Sequence, residues 1–361
     1  MNQSRPNNLH HPALDGIRGL AIILVLIHHN FTFLKLSYFG WIGVDLFFVL
    51  SGYLITNILV DSVNEKHFLR NFYVRRALRI FPLYFLSLLI FLIIVPNVTR
   101  FYNLFEYYIN HQVWLWTFLQ NWLYSFKQPP GIGILNHYWS LAVEEQFYLV
   151  WPFIILLLKR AKLLLYFLII ILALVLFLRL YIWINTVEVS YFNLYTFTRI
   201  DGICIGCMVA LIQKFNRQFL SQTTFWIVIS FAGINFMFDF INRLYNFSFP
   251  YLPLVGYTTF AMMFGLLVHE ATRGNRNFIV VIFDNPILKF FGKISFGLYI
   301  FHWPLYLLWK SSIIEWWQGY SENYASFVSS LVPTVAAILL SVVSYHYFES
   351  PFLRLKKRFS H

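Results

Sequence analysis

Leu14-Asp15-Gly16-Ile17-Arg18-Gly19-Leu20-Ala21-Ile22-Ile23-Leu24-Val25-Leu26-Ile27-His28-His29-Asn30 is an apolar run long enough to enter a bilayer, yet it opens on an acid and a base and closes on two imidazoles. Ionisable groups in a membrane helix are expensive, so they face a protein interior or a wet cavity and not lipid. His29 follows Arg18 by eleven positions, which at about 100° per residue returns to within about 20° of the same face, roughly 16 Å along the axis. His28 points about 80° away from that stripe. If one imidazole works with Arg18, it is His29.

The remainder of the chain has the same character. Its 361 residues are 59% hydrophobic, 21% aromatic and 12% charged, with a mean hydropathy of +0.63. Such a composition excludes an ordinary soluble domain. Residues 1–12 are polar and lack the apolar core and cleavage site of a signal peptide, so the first span is expected to be retained. The net charge of +12 reads as loops anchored on the cytoplasmic side and not as a nucleic-acid surface. Cys204 and Cys207 lack the further ligands of a zinc site and the βαβ context of a redox pair. Beside Gly206 they read as small-residue helix packing, and no metal site is expected.

Apolar stretches of about 20 residues fall at 13–34, 41–61, 80–97, 138–158, 163–184, 195–213, 223–242, 252–270, 294–311 and 326–348. The expected fold is therefore an all-α polytopic bundle of about ten transmembrane helices. With both termini cytoplasmic, about three-quarters of the Lys and Arg residues fall on the inside. Residues 100–127 resemble an eleventh span but carry Glu106, His111, Gln112, Gln120 and Asn121. They read as a re-entrant or interfacial segment on the external face, ending in the loop 128–131. Trp114, Trp116, Trp122 and Tyr124 there form either an interfacial belt or a sugar-stacking platform. No appended soluble domain is expected, and 1–361 reads as one membrane domain.

The intramembrane ionisable residues separate by depth into two layers. Arg18, Arg75, Arg76, Arg79, His346 and Glu349 lie near the inner boundary, with Asp15 beside them. Arg76 and Arg79 share a helical face and can grip phosphate oxygens bidentately, although positive-inside anchoring would serve equally well for an isolated cluster. His29, Asp45, Glu144, Glu145, Arg199, Asp201 and the deeper His302 lie towards the outer face. An imidazole among carboxylates is what a general base requires; a buried ion pair between helices is the plainer alternative.

These motifs in order resemble the membrane-bound acyltransferase 3 family of bacterial O-acyltransferases. The likeness rests on Arg18 and His29 with ten residues between them, the run 43–53, Arg76 and Arg79, and Trp139-Ser140 to Tyr148. It continues through Arg199-Ile200-Asp201, Tyr299-Ile300-Phe301-His302-Trp303-Pro304 and the closing run 344–352, in which His346 stands where the family pattern has arginine. The resemblance implies transfer of an acyl group, acetyl above all, from cytoplasmic acyl-CoA to a hydroxyl of an envelope or exported glycan, in a bacterial cytoplasmic membrane. Acetyl-CoA would be a co-substrate, with no bound cofactor. Arg18, Arg76 and Arg79 would hold the donor, and His29 would act as general base or acyl carrier, oriented by Asp45 or Glu144. Asp15, Ser140, Glu145, Arg199, Asp201, Tyr299, His302 and Glu349 complete the candidate site. A non-catalytic exporter is the alternative reading, but no internal repeat or matched pair of broken helices supports it.

Overall fold

The computed structural model describes residues 11–97, 101–127, 133–185, 189–215, 224–244, 251–273, 277–313 and 322–359. Among these residues the chain is helical with no strand, as a bilayer requires of a backbone whose polar groups must be satisfied within each segment. The long helices of the first half are α1 (Pro12–Asn30), α2 (Ile42–Ser62) and α3 (Phe68–Leu89). After them come the short α4 (Tyr102–Asn110), α5 (Gln112–Trp116) and α6 (Gln120–Phe126), then α7 (Trp139–Leu158) and α8 (Ala161–Asn185). The second half runs through α9 (Val189–Leu194), α10 (Thr196–Arg199), α11 (Asp201–Phe215), α12 (Thr224–Leu244), α13 (Tyr257–Thr272) and α14 (Phe278–Phe283). It closes with α15 (Pro286–Ile313), α16 (Glu322–Val343) and α17 (Ser350–Leu355). Between α16 and α17, residues Ser344–Glu349 form a wider π-helical turn.

Among the described residues, seven segments are long and apolar enough to cross a membrane: Pro12–Asn30, Lys35–Ser62, Phe68–Asn97, Asn136–Leu158, Ala161–Asn185, Leu252–Thr272 and Ser326–Leu355. The expected spans 195–213, 223–242 and 294–311 fall on α10–α11, α12 and α15. By itself α11 has 15 residues, fewer than the roughly 20 a straight crossing uses. Helix α15 has 28 residues but dilutes its apolar run with aromatic rings, His302 and lysines.

Segment 101–127 breaks into three short helices, with Phe118 at a positive φ of 56°, so it is no eleventh span. Its aromatics pack inward. Trp116 stacks on Phe85 at 5.6 Å, Tyr124 is fully buried, and Trp122 donates to Thr196 Oγ1 at 2.9 Å. Asn121 joins Gln146 and Thr196 by hydrogen bonds of 2.8 Å each. The loop 128–131 lies outside the described residues.

Two crossings hold the bundle backbone to backbone. Where α1 meets α15, a Cβ on Gly19 would stand 1.9 Å from the Leu288 carbonyl oxygen, and one on Gly292 would stand 1.9 Å from that of Asp15. Where α2 meets α11, a Cβ on Gly206 would lie 2.0 Å from the Val49 oxygen. Cys207, beside it, is free and buried and donates to the Gly52 carbonyl at 3.6 Å, so the CxxC is a packing feature as its context predicts. A backbone carbonyl cannot rotate away from an added methyl. Gly206→Val is therefore expected to destabilise the fold by about 1–3 kcal/mol or more, whereas Gly233→Ala, with nothing within 4 Å of its Cβ, is expected to be neutral or slightly stabilising. Thermal unfolding in detergent checks this, and equal melting temperatures for the two variants would contradict the close crossing.

Candidate active site

Arg18 and His29 lie at opposite ends of α1, and three cavities lie between these ends, each sharing wall residues with the next. At the arginine end, a chamber of about 380 Å³ is lined by Asp15, Arg18, Arg79, Lys289, Lys293, Tyr345 and Glu349 among others. Arg18 and Arg79 also line the next cavity, of about 100 Å³, together with Ser51, Arg76, Ser140, Glu144, Tyr148 and Tyr299. Val44 and Tyr299 in turn belong to the wall of the third, about 490 Å³, which holds His28, His29, His137, Trp139, Arg199 and Tyr257 at the histidine end.

In the narrow cavity Glu144 accepts from Ser51 Oγ at 3.0 Å and from Tyr148 Oη at 3.1 Å. The Arg76 guanidinium lies over the Tyr148 ring, 4.8 Å from its centroid. Arg18 pairs with Asp15 at 3.1 Å, one helical turn away. Tyr299 Oη donates to the His137 carbonyl, so Ser140 Oγ, 2.6 Å away, must donate to Tyr299. Tyr299, held by this hydroxyl chain, belongs to the wall of both the narrow and the outer cavity.

The histidine end gives His29 a different partner from the carboxylates that sequence suggested. His302 Nδ1 lies 3.0 Å from the Leu298 oxygen and 2.9 Å from the Tyr299 oxygen. Carbonyls only accept, so that nitrogen carries the proton. In a neutral His302 the Nε2 is then an acceptor, and His29 Nδ1, 3.0 Å away, must donate to it. The lone pair of His29 consequently sits on Nε2, the nitrogen suited to take a proton from a substrate. Trp303 packs on the His29 ring at 4.9 Å. His28 is tied instead to the Ser37 carbonyl at 2.8 Å.

Asp45 pairs with Arg199 at 2.6 Å, both nearly fully buried. Arg199 lies 3.6 Å over the Tyr257 ring, while its Nε and Nη1 have no hydrogen-bond partner among the described residues. Asp201 binds Arg179 at 2.9 Å and accepts from Thr258 at 2.6 Å. Asp45 and Asp201 are thus placed in ion pairs between helices, Glu145 lines none of the three cavities, and the exposed His346 lines none either. Glu349 lines the widest arginine-end chamber and accepts from Ser344 at 3.1 Å. Two residues escaped sequence reasoning. Arg179 is a lone charge inside a long apolar helix, a signal by itself; buried His137, its ring 5.2 Å from His302, gave none beyond its place beside Trp139-Ser140. The aromatic wall of the outer cavity is Trp41, Trp139 and Tyr257, not the rings of segment 101–127.

Residues 11–346 match the family described as acyltransferase domain. The chain belongs to the acyltransferase 3 family. It is 29% identical to the peptidoglycan O-acetyltransferase OatA of Listeria monocytogenes over 94% of this chain and 55% of that protein. It is also 29% identical to the O-acetyltransferase OatA of Staphylococcus aureus, over 94% and 57% respectively. The chain spans about half the length of the curated relatives it matches. No solved structure matches it.

Removing one partner of a buried pair leaves an uncompensated charge and costs about 3–5 kcal/mol. Asp45→Asn is expected to lower the melting temperature sharply, and Asp45→Asn combined with Arg199→Gln to recover much of the loss. Additive losses in the double variant would show that the two side chains do not act as a pair.

Proposed function

We propose that the chain is a membrane O-acyltransferase moving an acyl group, acetyl in the first instance, from acyl-CoA at the cytoplasmic face to a hydroxyl of a cell-envelope or exported glycan on the other side. The observation that carries this reading is the series of cavities running from Arg18, Arg76 and Arg79 to His29. The excess of basic residues at one set of boundaries supports a cytoplasmic arginine end, with about ten spans and both termini inside. The name of the Listeria relative supports an envelope glycan as acceptor class.

In this reading the arginines hold the donor phosphates, and the narrow cavity takes the unbranched pantetheine arm past Tyr299. The thioester reaches the outer cavity, where the acceptor lies against Trp41, Trp139 and Tyr257. His29 Nε2 takes the proton of the acceptor hydroxyl as its oxygen bonds to the thioester carbon. The tetrahedral intermediate collapses with cleavage of the C–S bond, and the departing thiolate takes the proton from the His29 imidazolium. His302 holds the ring and its tautomer, the role an acid fills in hydrolytic triads. Arg199, held by Asp45 and lying over Tyr257, fixes the aromatic wall against which the acceptor rests, and Glu144 acts through Tyr148 on Arg76 and not on His29.

Purified protein should release free CoA from acetyl-CoA only when envelope glycan acceptor is supplied; acceptor movement across vesicles without CoA release would favour a transporter. His29→Ala is expected to reduce transfer by about 10²–10⁴-fold, and His28→Ala to leave most of it. Wild-type rates in His29→Ala, or the reverse ranking of the two, would refute the assignment of His29 Nε2 as base.

A further inference from the structure

The two cavities at the arginine end differ in width and in charge balance. The narrow one encloses about 100 Å³, whereas the chamber next to it encloses about 380 Å³. Arg18 and Arg79 stand at the junction, lining both. In the chamber Arg18 is compensated by Asp15 at 3.1 Å, and Lys289 by Asp284 at 2.7 Å. Arg79 and Lys293 form no salt bridge among the described residues, and Lys293 Nζ sits over the Tyr345 ring at 4.9 Å.

The surroundings are strongly positive. Lys356, just beyond the last span, is held down to about 7 by burial first and then by the charges of Arg79, Arg76, Arg75 and Arg18. Cations crowded at one mouth repel each other unless an anion with several charges sits among them.

The order of these features follows the order of groups in coenzyme A: nucleotide with a ribose 3′-phosphate, diphosphate, pantetheine, thioester. A diphosphate held at the junction by Arg18 and Arg79, with the arm in the narrow cavity, leaves the nucleotide in the wide chamber. We propose that this chamber is a nucleotide subsite in which Lys293 binds the ribose 3′-phosphate of the donor, so that the protein selects 3′-phosphorylated donors over their dephosphorylated forms. The inference rests on the acyl-CoA reading above and adds to it a residue and a chemical group. Lys293 is exposed at the chamber mouth, so its replacement does not disturb the core.

The test uses the full chain in detergent with two donors, acetyl-CoA and acetyl-3′-dephospho-CoA, in wild type, Lys293→Ala and Lys293→Arg. Binding of adenosine 3′,5′-bisphosphate against adenosine 5′-monophosphate is measured in parallel by calorimetry. The expected result is a KM about tenfold lower for acetyl-CoA in wild type, from one charge-assisted contact. Lys293→Ala should abolish that preference by raising the acetyl-CoA KM alone with kcat kept, and Lys293→Arg should restore it. The bisphosphate should bind more tightly than the monophosphate in wild type and equally in Lys293→Ala. Transfer from both donors with equal KM, or equal KM increases for both in Lys293→Ala, would overturn the subsite while leaving the acyl-CoA reading intact. No transfer from either donor, with the Lys293-dependent bisphosphate preference present, would overturn the acyl-CoA reading and keep the phosphate site. Loss of that preference overturns the subsite in either case.

Discussion

Everything at both ends of the candidate path depends on how closely α1 crosses α15. Gly19 and Gly292 let the two backbones touch, and association inside a membrane relies on such close packing because lipid offers no hydrophobic drive. The same two helices then supply Arg18 and Lys293 at one end and the hydrogen-bonded His29 and His302 at the other. A crossing wider by one methyl would separate both pairs at once. The position of α1 therefore sets the arginine end and the histidine end together.

The two ends manage charge differently. Around the outer cavity the buried ions are matched, Asp45 to Arg199 and Asp201 to Arg179, with Thr258 bridging the second pair to the first part of α13. Such pairs specify helix arrangement more than they add stability. At the arginine end the cations outnumber the nearby acids, and Lys356 is pushed towards neutrality by burial first and then by their charge. A matched interior can hold an uncharged sugar and an imidazole, while an unmatched basic mouth is suited to a polyanion.

Much of this was legible in the sequence. The spacing of Arg18 and His29 placed both on one stripe of one helix, because helical period alone fixes that relation. The long aliphatic spans were equally plain. What the sequence could not provide was pairing between helices: Asp45 and Glu144 read as partners for His29, but Asp45 is held by Arg199 from α10, and Glu144 by Ser51 from α2 together with Tyr148 on its own helix. His302 is the residue at His29; it lies in the span expected at 294–311, and helical period within one span does not tell which other helix it faces. The aromatic run in 101–127 misled for a related reason, since composition does not tell an exposed stacking platform from rings packed against α3 and α10.

The central claim is that donor and acceptor are used from opposite faces, joined by the cavities between Arg18 and His29. Everted and right-side-out membrane vesicles, prepared from cells that make the protein and its natural acceptor, test this directly when radiolabelled acetyl-CoA is added only outside. Label should enter the envelope glycan in everted vesicles, where the arginine end faces the donor, and should be absent from right-side-out ones. Equal labelling in sealed right-side-out vesicles would contradict a donor path that starts at the arginine end.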